Sequence, residues 1–465
     1  MAYVPITCVP INRGDDAVVM PFPECLRGLS RVCCGGILLA VVAWLDGSGV
    51  VAAGDWPQVL GPQRNGQAAA DEQLAESWPA AGPPLVWQRP VGSGFAGPAV
   101  AGSTLMLFHR LPAAEMGAAV DQEVVEAIDT ATGKTLWRDG HPTRFRPQVG
   151  GGDGPLCVPV IHNNVVVTYG AEGVLSCHQL ADGKLIWQRD THRDYDAREG
   201  YFGAGSAPVV VGDGQDALVI VNVGGSRASA GIVAFGLTDG EPRWSATDEP
   251  ASYAAAVAVP TSATDRLPDV VMITRYRCLL LDAATGAVRW EVPFGMRGPT
   301  VNASSPLVMT DASGETSLLI TASYGVGSQC GPFDATGFRP RWEGTASLAT
   351  QYATPVALGA TLFAFDGRED VPPASLVCLD ASTGKERWRE PQPSYGTLVA
   401  ADGKLLAVGT DGRLQLIRPD AEKLTVLATA TPLQGTLRAL PALADGRLYL
   451  RNDSTLISLN VGRQP

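Results

Sequence analysis

The chain has 465 residues, with 53 glycines, 35 prolines, 45% hydrophobic and 18% charged residues and a net charge of −12. That apolar content excludes a disordered chain, and the abundance of turn formers favours an all-β globular protein with a sizeable core. Nucleic acid is excluded as a partner, because its binders need a basic face to displace counterions and no Lys/Arg cluster is present.

In chain order, Arg27 and Arg31 precede the apolar run VCCGGILLAVVAWL (Val32 to Leu45), Asp46 stops it, and GSGVVAAG offers small residues for cleavage after Ala53. This is the pattern of a secretory signal, and the run is shorter than the roughly 20 residues a membrane span needs. Residues 1–54 are therefore predicted to be a signal region, with Met20 as a possible true start, and no lipid-attachment cysteine follows the run. Residues 55–81 read as a lead-in segment and 82–465 as one repeat domain.

The first element of that domain, PPLVWQRPV around Trp87, is a lone strand. Two markers then alternate along the chain. The first is a small residue and usually a proline before an apolar hairpin, at Pro98, Pro159, Pro208, Pro306, Pro355 and Pro441, with Ala256 and Leu398 in the same slot of two degenerate copies. The second is a strand, an Asp-x-x-Thr-Gly turn and a strand closed by tryptophan, as in AIDTATGKTLW (Ala127 to Trp137). It recurs strictly at Trp290 and Trp388, and more loosely at Trp187, Trp244 and Trp342. A positive-φ glycine suits such a hairpin loop, and a buried tryptophan removes about 150–250 Å² from water, which explains its recurrence through packing alone.

Each unit thus supplies four short strands, the signature of a propeller blade, and eight copies predict an eight-bladed β-propeller. The chain ends with STLISLNV, a third strand with no fourth, so the strand at Trp87 is expected to complete the last blade and close the ring. Unit seven, LQLIRPDAEKLTVL, lacks the turn and the tryptophan, and Leu427 is expected to take the packing role. Past the signal region, Cys157, Cys177, Cys278, Cys330 and Cys378 are odd in number, and Cys177 and Cys378 occupy equivalent slots of distant units. They read as small buried apolar side chains rather than disulfide partners.

The motif Ala127-x-Asp129-x-x-Thr132-Gly133-x-x-x-Trp137 resembles the tryptophan-docking repeat of pyrroloquinoline quinone (PQQ) propellers, found in quinoprotein alcohol dehydrogenases and in the outer-membrane assembly lipoprotein BamB. DWPQVLGPQRNG at Asp55, GFAGPAV, LVIVNVGG, AGIVAF, ATDEPASY and FDGR at Phe365 to Arg368 resemble exported bacterial PQQ-binding-like repeat proteins. The resemblance spans about Asp55 to Val461 and implies the fold. A dehydrogenase of this kind would imply a calcium-supported quinone stacked on a tryptophan, an acidic base and, in many members, a vicinal disulfide. The repeat tryptophans, Trp87 included, are already assigned to docking between blades, and no adjacent cysteines follow residue 54.

Other chemistry is sparse. There is no C-x-x-C-H haem site and no G-x-S-x-G elbow, and His109, His141, His162, His178 and His192 lack ligand spacing. GDGQD at Gly212 lacks the glutamate of a calcium loop and reads as a hairpin turn. Attention falls on the propeller mouth. Residues three before each proline slot should start the strands nearest the channel: Phe95, Leu156, Gly205, Tyr253, Ala303, Tyr352, Tyr395 and Arg438. Asn302 and the Asp366–Arg368 turn could join them on the same face. Such a ring is either a binding surface, for which Tyr and Arg are favoured, or an aromatic plug at the narrow end of the channel. The charged loop THRDYDAREGYFG (Thr191 to Gly203) is a second recognition candidate.

The leading expectation is an exported, non-catalytic propeller, periplasmic or extracellular and monomeric, that binds a protein, peptide or glycan of the cell envelope. It should have no transmembrane span after cleavage, no catalytic or metal residues and no cofactor. The alternative is a PQQ- and calcium-dependent alcohol or sugar dehydrogenase, and a third reading is a purely structural envelope scaffold.

Overall fold

In the computed structural model, which describes residues 54–150, 152–260, 266–298 and 301–463, the two hairpins of each unit join into one antiparallel sheet. Eight such blades stand in a ring as a β-propeller. The predicted signal region, Gly54 apart, lies outside the described residues. Blade 1 runs outward from the axis as Ala99–Ala101, Thr104–Leu111, Gln122–Asp129 and Thr135–Pro142. The innermost strands of blades 2 to 8 are Val160–His162, Val209–Val211, Val257–Val259, Leu307–Thr310, Val356–Leu358, Gly396–Ala401 and Ala442–Ala444. The strand Leu85–Pro90 pairs with Thr455–Asn460, Trp87 opposite Ser458, and completes blade 8 as the sequence required.

Seven tryptophans lock seven of the eight blades to the next, because each of their indole Nε1–H groups donates to a carbonyl of the neighbouring Asp-Gly turn or its blade 7 counterpart. The distances are 2.8 Å from Trp87 to Thr130, 2.9 Å from Trp137 to Leu180 and 2.7 Å from Trp187 to Leu237. Trp244, Trp290, Trp342 and Trp388 repeat the bond to Ala283, Asp334, Ala381 and Asp420 at 2.8–3.0 Å. The turn glycine lies under the ring: at Gly240, with φ +66°, a Cβ would stand 2.5 Å from Trp187, so the site demands glycine for both space and backbone. Opposite the indoles, Cys177, Cys330 and Cys378 face Trp187, Trp342 and Trp388. All five described cysteines are free and buried, and burial pushes the Cys177 thiol up to about 12.

Two blades depart from the repeat. The outer strand of blade 5 breaks at Pro340, which has no N–H to pair, into Gly337–Phe338 and Trp342–Gly344. In blade 7 the register pairs Leu416 with Ala428 and Ile417 with Val426, which puts Ala428 in the tryptophan slot and leaves the expected Leu427 on the bulge. Leu427 still packs into the local apolar cluster, alongside Trp78 of the lead-in. GDGQD forms the hairpin between Val209–Val211 and Leu218–Asn222.

The lead-in does more than precede the propeller. Trp56, 1% exposed, pairs with Val100 of blade 1 through two backbone bonds of 2.9 and 2.8 Å. Pro57 accepts from Ile161 N of blade 2, and Ala68 N donates to Ala400 of blade 7. Between them Arg64 donates to Ala256 O of blade 4 at 2.8 Å and to Pro208 O of blade 3. The segment therefore crosses one end of the channel, and Val59 and Leu60 pack against the inner strands.

Candidate functional site

With one end crossed by the lead-in, the channel is a blind well of about 360 Å³ at the end where the inner strands begin. Seven of the eight mouth residues expected from the repeat line it: Phe95, Leu156, Gly205, Tyr253, Ala303, Tyr352 and Arg438. A second ring two residues further along the chain includes Val158, Ala207, Ala255 and Leu440, and Val59 forms the floor. Both rings lie in the segments that lead into the inner strands, and alternate residues of each segment turn to the axis.

Tyr395 is the exception. Buried at 2% exposure, it lies behind Tyr352 with ring centroids 4.8 Å apart, and burial pushes its hydroxyl up to about 12. Its oxygen accepts the backbone N–H groups of Gln351, Tyr352 and Ala353 at 2.9, 3.3 and 3.2 Å, so it fixes the Tyr352 wall from behind. Asn302 is likewise absent from the lining. Its amide, itself buried, donates to the carbonyls of Thr274, Arg275 and Phe294. Asp366 accepts from Ala349 N and pairs with Arg389, both at 2.7 Å, outside the well. Arg368 stands behind the lining, paired with Asp370 and 4.3 Å over the Tyr324 ring.

The residues past that turn are the ones the sequence did not single out. The strands Thr361–Arg368 and Val371–Asp380 form a long hairpin whose tip carries Glu369 and Asp370 into the well. Arg438 Nε donates to both oxygens of Glu369 at 2.9 Å, and Tyr352 OH donates to the same carboxylate at 3.1 Å. Glu369 N donates to Gln351 Oε1 at 2.7 Å, and Gln351 Nε2 donates to Tyr324 OH at 2.8 Å and Asp370 Oδ1 at 3.3 Å. Burial and the charge of Glu369 hold the Tyr352 hydroxyl well above its usual range, so it stays a proton donor. The guanidinium of Arg438 also lies 5.3 Å from the Phe95 ring centre.

Around this well the residues do not fit the group the resemblance implied. No tryptophan lines it, its Glu369 carboxylate is tied to Arg438, and the described residues hold no cluster of three His, Cys, Asp or Glu side chains. Beside it, sharing Gly205 and Tyr253, a groove of about 920 Å³ runs over blades 2 to 4. The second candidate loop borders it through His192, Asp196, Arg198, Glu199 and Tyr201.

Comparison with known proteins agrees with the geometry. No curated protein matches the chain by sequence. Among solved structures, the quinohemoprotein alcohol dehydrogenase of Comamonas testosteroni has a TM-score of 0.62 at 14% identity, over 88% of this chain and 81% of that one. BamB of Moraxella catarrhalis gives 0.54 at 15% identity over 81% and 99%, and a europium-containing methanol dehydrogenase 0.64 at 13% over 85% and 89%. Such likenesses show the fold alone. The family model described as outer membrane protein assembly factor BamB matches residues 121–390 and 336–463, and the chain belongs to that family of PQQ-like propellers.

Proposed function

We propose that this propeller is an exported, non-catalytic binding protein of the cell envelope, monomeric, which receives part of a protein, peptide or glycan partner in the well at its mouth. The observation that carries the reading is the state of the well's polar groups. Glu369, Gln351, Tyr324 and Tyr352 are bonded to one another or to Arg438, which suits a rigid recognition surface and leaves no carboxylate free to act as a base or hold a metal. Aromatic side chains with polar tips beside an arginine are the composition of interface hot spots. The name of the matched family, an outer membrane protein assembly factor, supports a protein partner and an envelope location.

The rival reading is a PQQ-dependent alcohol or sugar dehydrogenase, favoured by the fold it shares with such enzymes. Titration of the purified protein with PQQ and calcium, followed by gel filtration and by reduction of an artificial acceptor with alcohols and aldoses, separates the two. Neither retained quinone nor turnover is expected; stoichiometric uptake with turnover would replace the binding reading.

A further inference from the structure

The inference concerns what enters the well, and it rests on the binding reading above. Within the lining, formal charges cancel in pairs, Arg438 with Glu369 and Arg368 behind Asp370. Two further guanidinium groups lie one residue behind the wall. Arg64, 3% exposed, donates to Ala256 O and Pro208 O, next to the lining residues Ala255 and Ala207. Arg451, 1% exposed, donates to Gly92 O at 2.7 Å and Ala96 O at 3.4 Å, on either side of Phe95.

Neither arginine forms an ion pair with a carboxylate among the described residues; for Arg451 the nearby acid is Asp453, which acts through its charge alone. Burial lowers the two pKa values to about 9 and about 10, so both stay cationic at neutral pH. Carbonyl dipoles satisfy their hydrogen bonds but do not neutralise their charge, and a buried uncompensated charge acts over longer range than an exposed one. Two buried cations thus stand behind the wall of the well.

Its chemistry is also uneven. The walls are largely apolar, and among the described residues Nη1 and Nη2 of Arg438 have no partner, since its bonds run through Nε. A ligand suited to this space has an apolar body and one anionic end. A glycan presents hydroxyls all round and would set many of them against these largely apolar walls. The adjoining groove shares Gly205 and Tyr253 with the well and so continues its space over blades 2 to 4.

The geometry points to an extended peptide whose C-terminal residue, apolar or aromatic, occupies the well with its free carboxylate on Arg438, while the preceding residues lie along the groove of blades 2 to 4.

The test presents the full-length protein with a hexapeptide library ending in Phe, Tyr or Leu, prepared both as free acids and as C-terminal amides, and with a glucuronate-ended tetrasaccharide. Affinities of the enriched peptides are measured by fluorescence anisotropy. Free acids should bind, and amidation should weaken them about 10- to 100-fold, the worth of a charge-assisted hydrogen bond. The double variant Arg438→Gln/Glu369→Gln, which removes both charges and strands neither, should lose the preference for acids, and Ala303→Trp, which fills the well, should abolish binding.

Amides binding as tightly as acids, or no peptide binding at all, would overturn the inference. So would binding of the tetrasaccharide alone, although its loss in Ala303→Trp would keep the well as a binding site. The binding reading itself would fall to quinone-dependent turnover, a separate readout.

Discussion

Replacing Trp187 tests the inter-blade lock most sharply, because its indole is 8% exposed and its Nε1–H donates to Leu237 O at 2.7 Å. Emptying a site that removes about 150–250 Å² from water forfeits about 4–6 kcal/mol of gross transfer energy, and partial collapse leaves a net cost for Trp187→Ala of about 3–5 kcal/mol. Trp187→Phe keeps most of the ring but strands the Leu237 carbonyl, at about 1–2 kcal/mol. From the other side of the contact, Gly240→Ala brings a methyl to 2.5 Å from the indole at φ +66° and should cost about 2–4 kcal/mol. Once the indole is gone that methyl has room, so the double variant Trp187→Ala/Gly240→Ala should be more stable than the sum of the singles implies by about 1–2 kcal/mol. Equilibrium guanidinium unfolding followed by circular dichroism measures all four proteins. A cost below about 1 kcal/mol for Trp187→Ala, or strict additivity, would refute the docking account.

Deleting Leu85–Val91 should expose the edge of Thr455–Asn460 and release the Trp87 bond to Thr130, giving a protein that aggregates or melts well below the parent; an unchanged midpoint would contradict closure. Tyr395→Phe should cost about 1–3 kcal/mol in the same unfolding assay, because three backbone N–H groups lose their acceptor. In blade 1, burial opposes the charge of Glu126, but hydrogen bonds from His109 and Thr135 and the charges of His109 and Arg89 hold its carboxyl well below the usual range. A depressed carboxyl stabilises the fold above its unfolded pKa near 4.5 and loses that contribution as pH falls below it, so Glu126→Gln should flatten the drop in melting temperature between about pH 5 and 3.

What the sequence made legible is what the repeat repeats. Tryptophans, turn glycines and the open first and last strands are local marks of a contact made once in each blade, so they predicted the ring and its closure. The mouth was readable for the same reason: a fixed offset from each proline slot lands on the segment leading into an inner strand. It failed at Tyr395, whose blade begins its inner strand at once, at Gly396, and folds the ring back under Tyr352. Leu427 was misplaced by one residue because unit seven has no turn to set the register of Thr425–Ala430. Glu369 meets Arg438 across 69 residues, and nothing local announces that a hairpin tip reaches over a neighbouring blade to the axis. Arg64 was equally silent, since a lone arginine in a loop reads as solvated until the fold buries it.

The central claim is that partners are held in the well at the propeller mouth. In-cell photo-crosslinking tests it most directly, with a benzoylphenylalanine replacing Tyr253 inside the well or Leu185, 42% exposed, on the outer strand of blade 2. A discrete covalent adduct from position 253, absent in the presence of Ala303→Trp and absent from position 185, is the predicted result; adducts from position 185 alone would contradict the account.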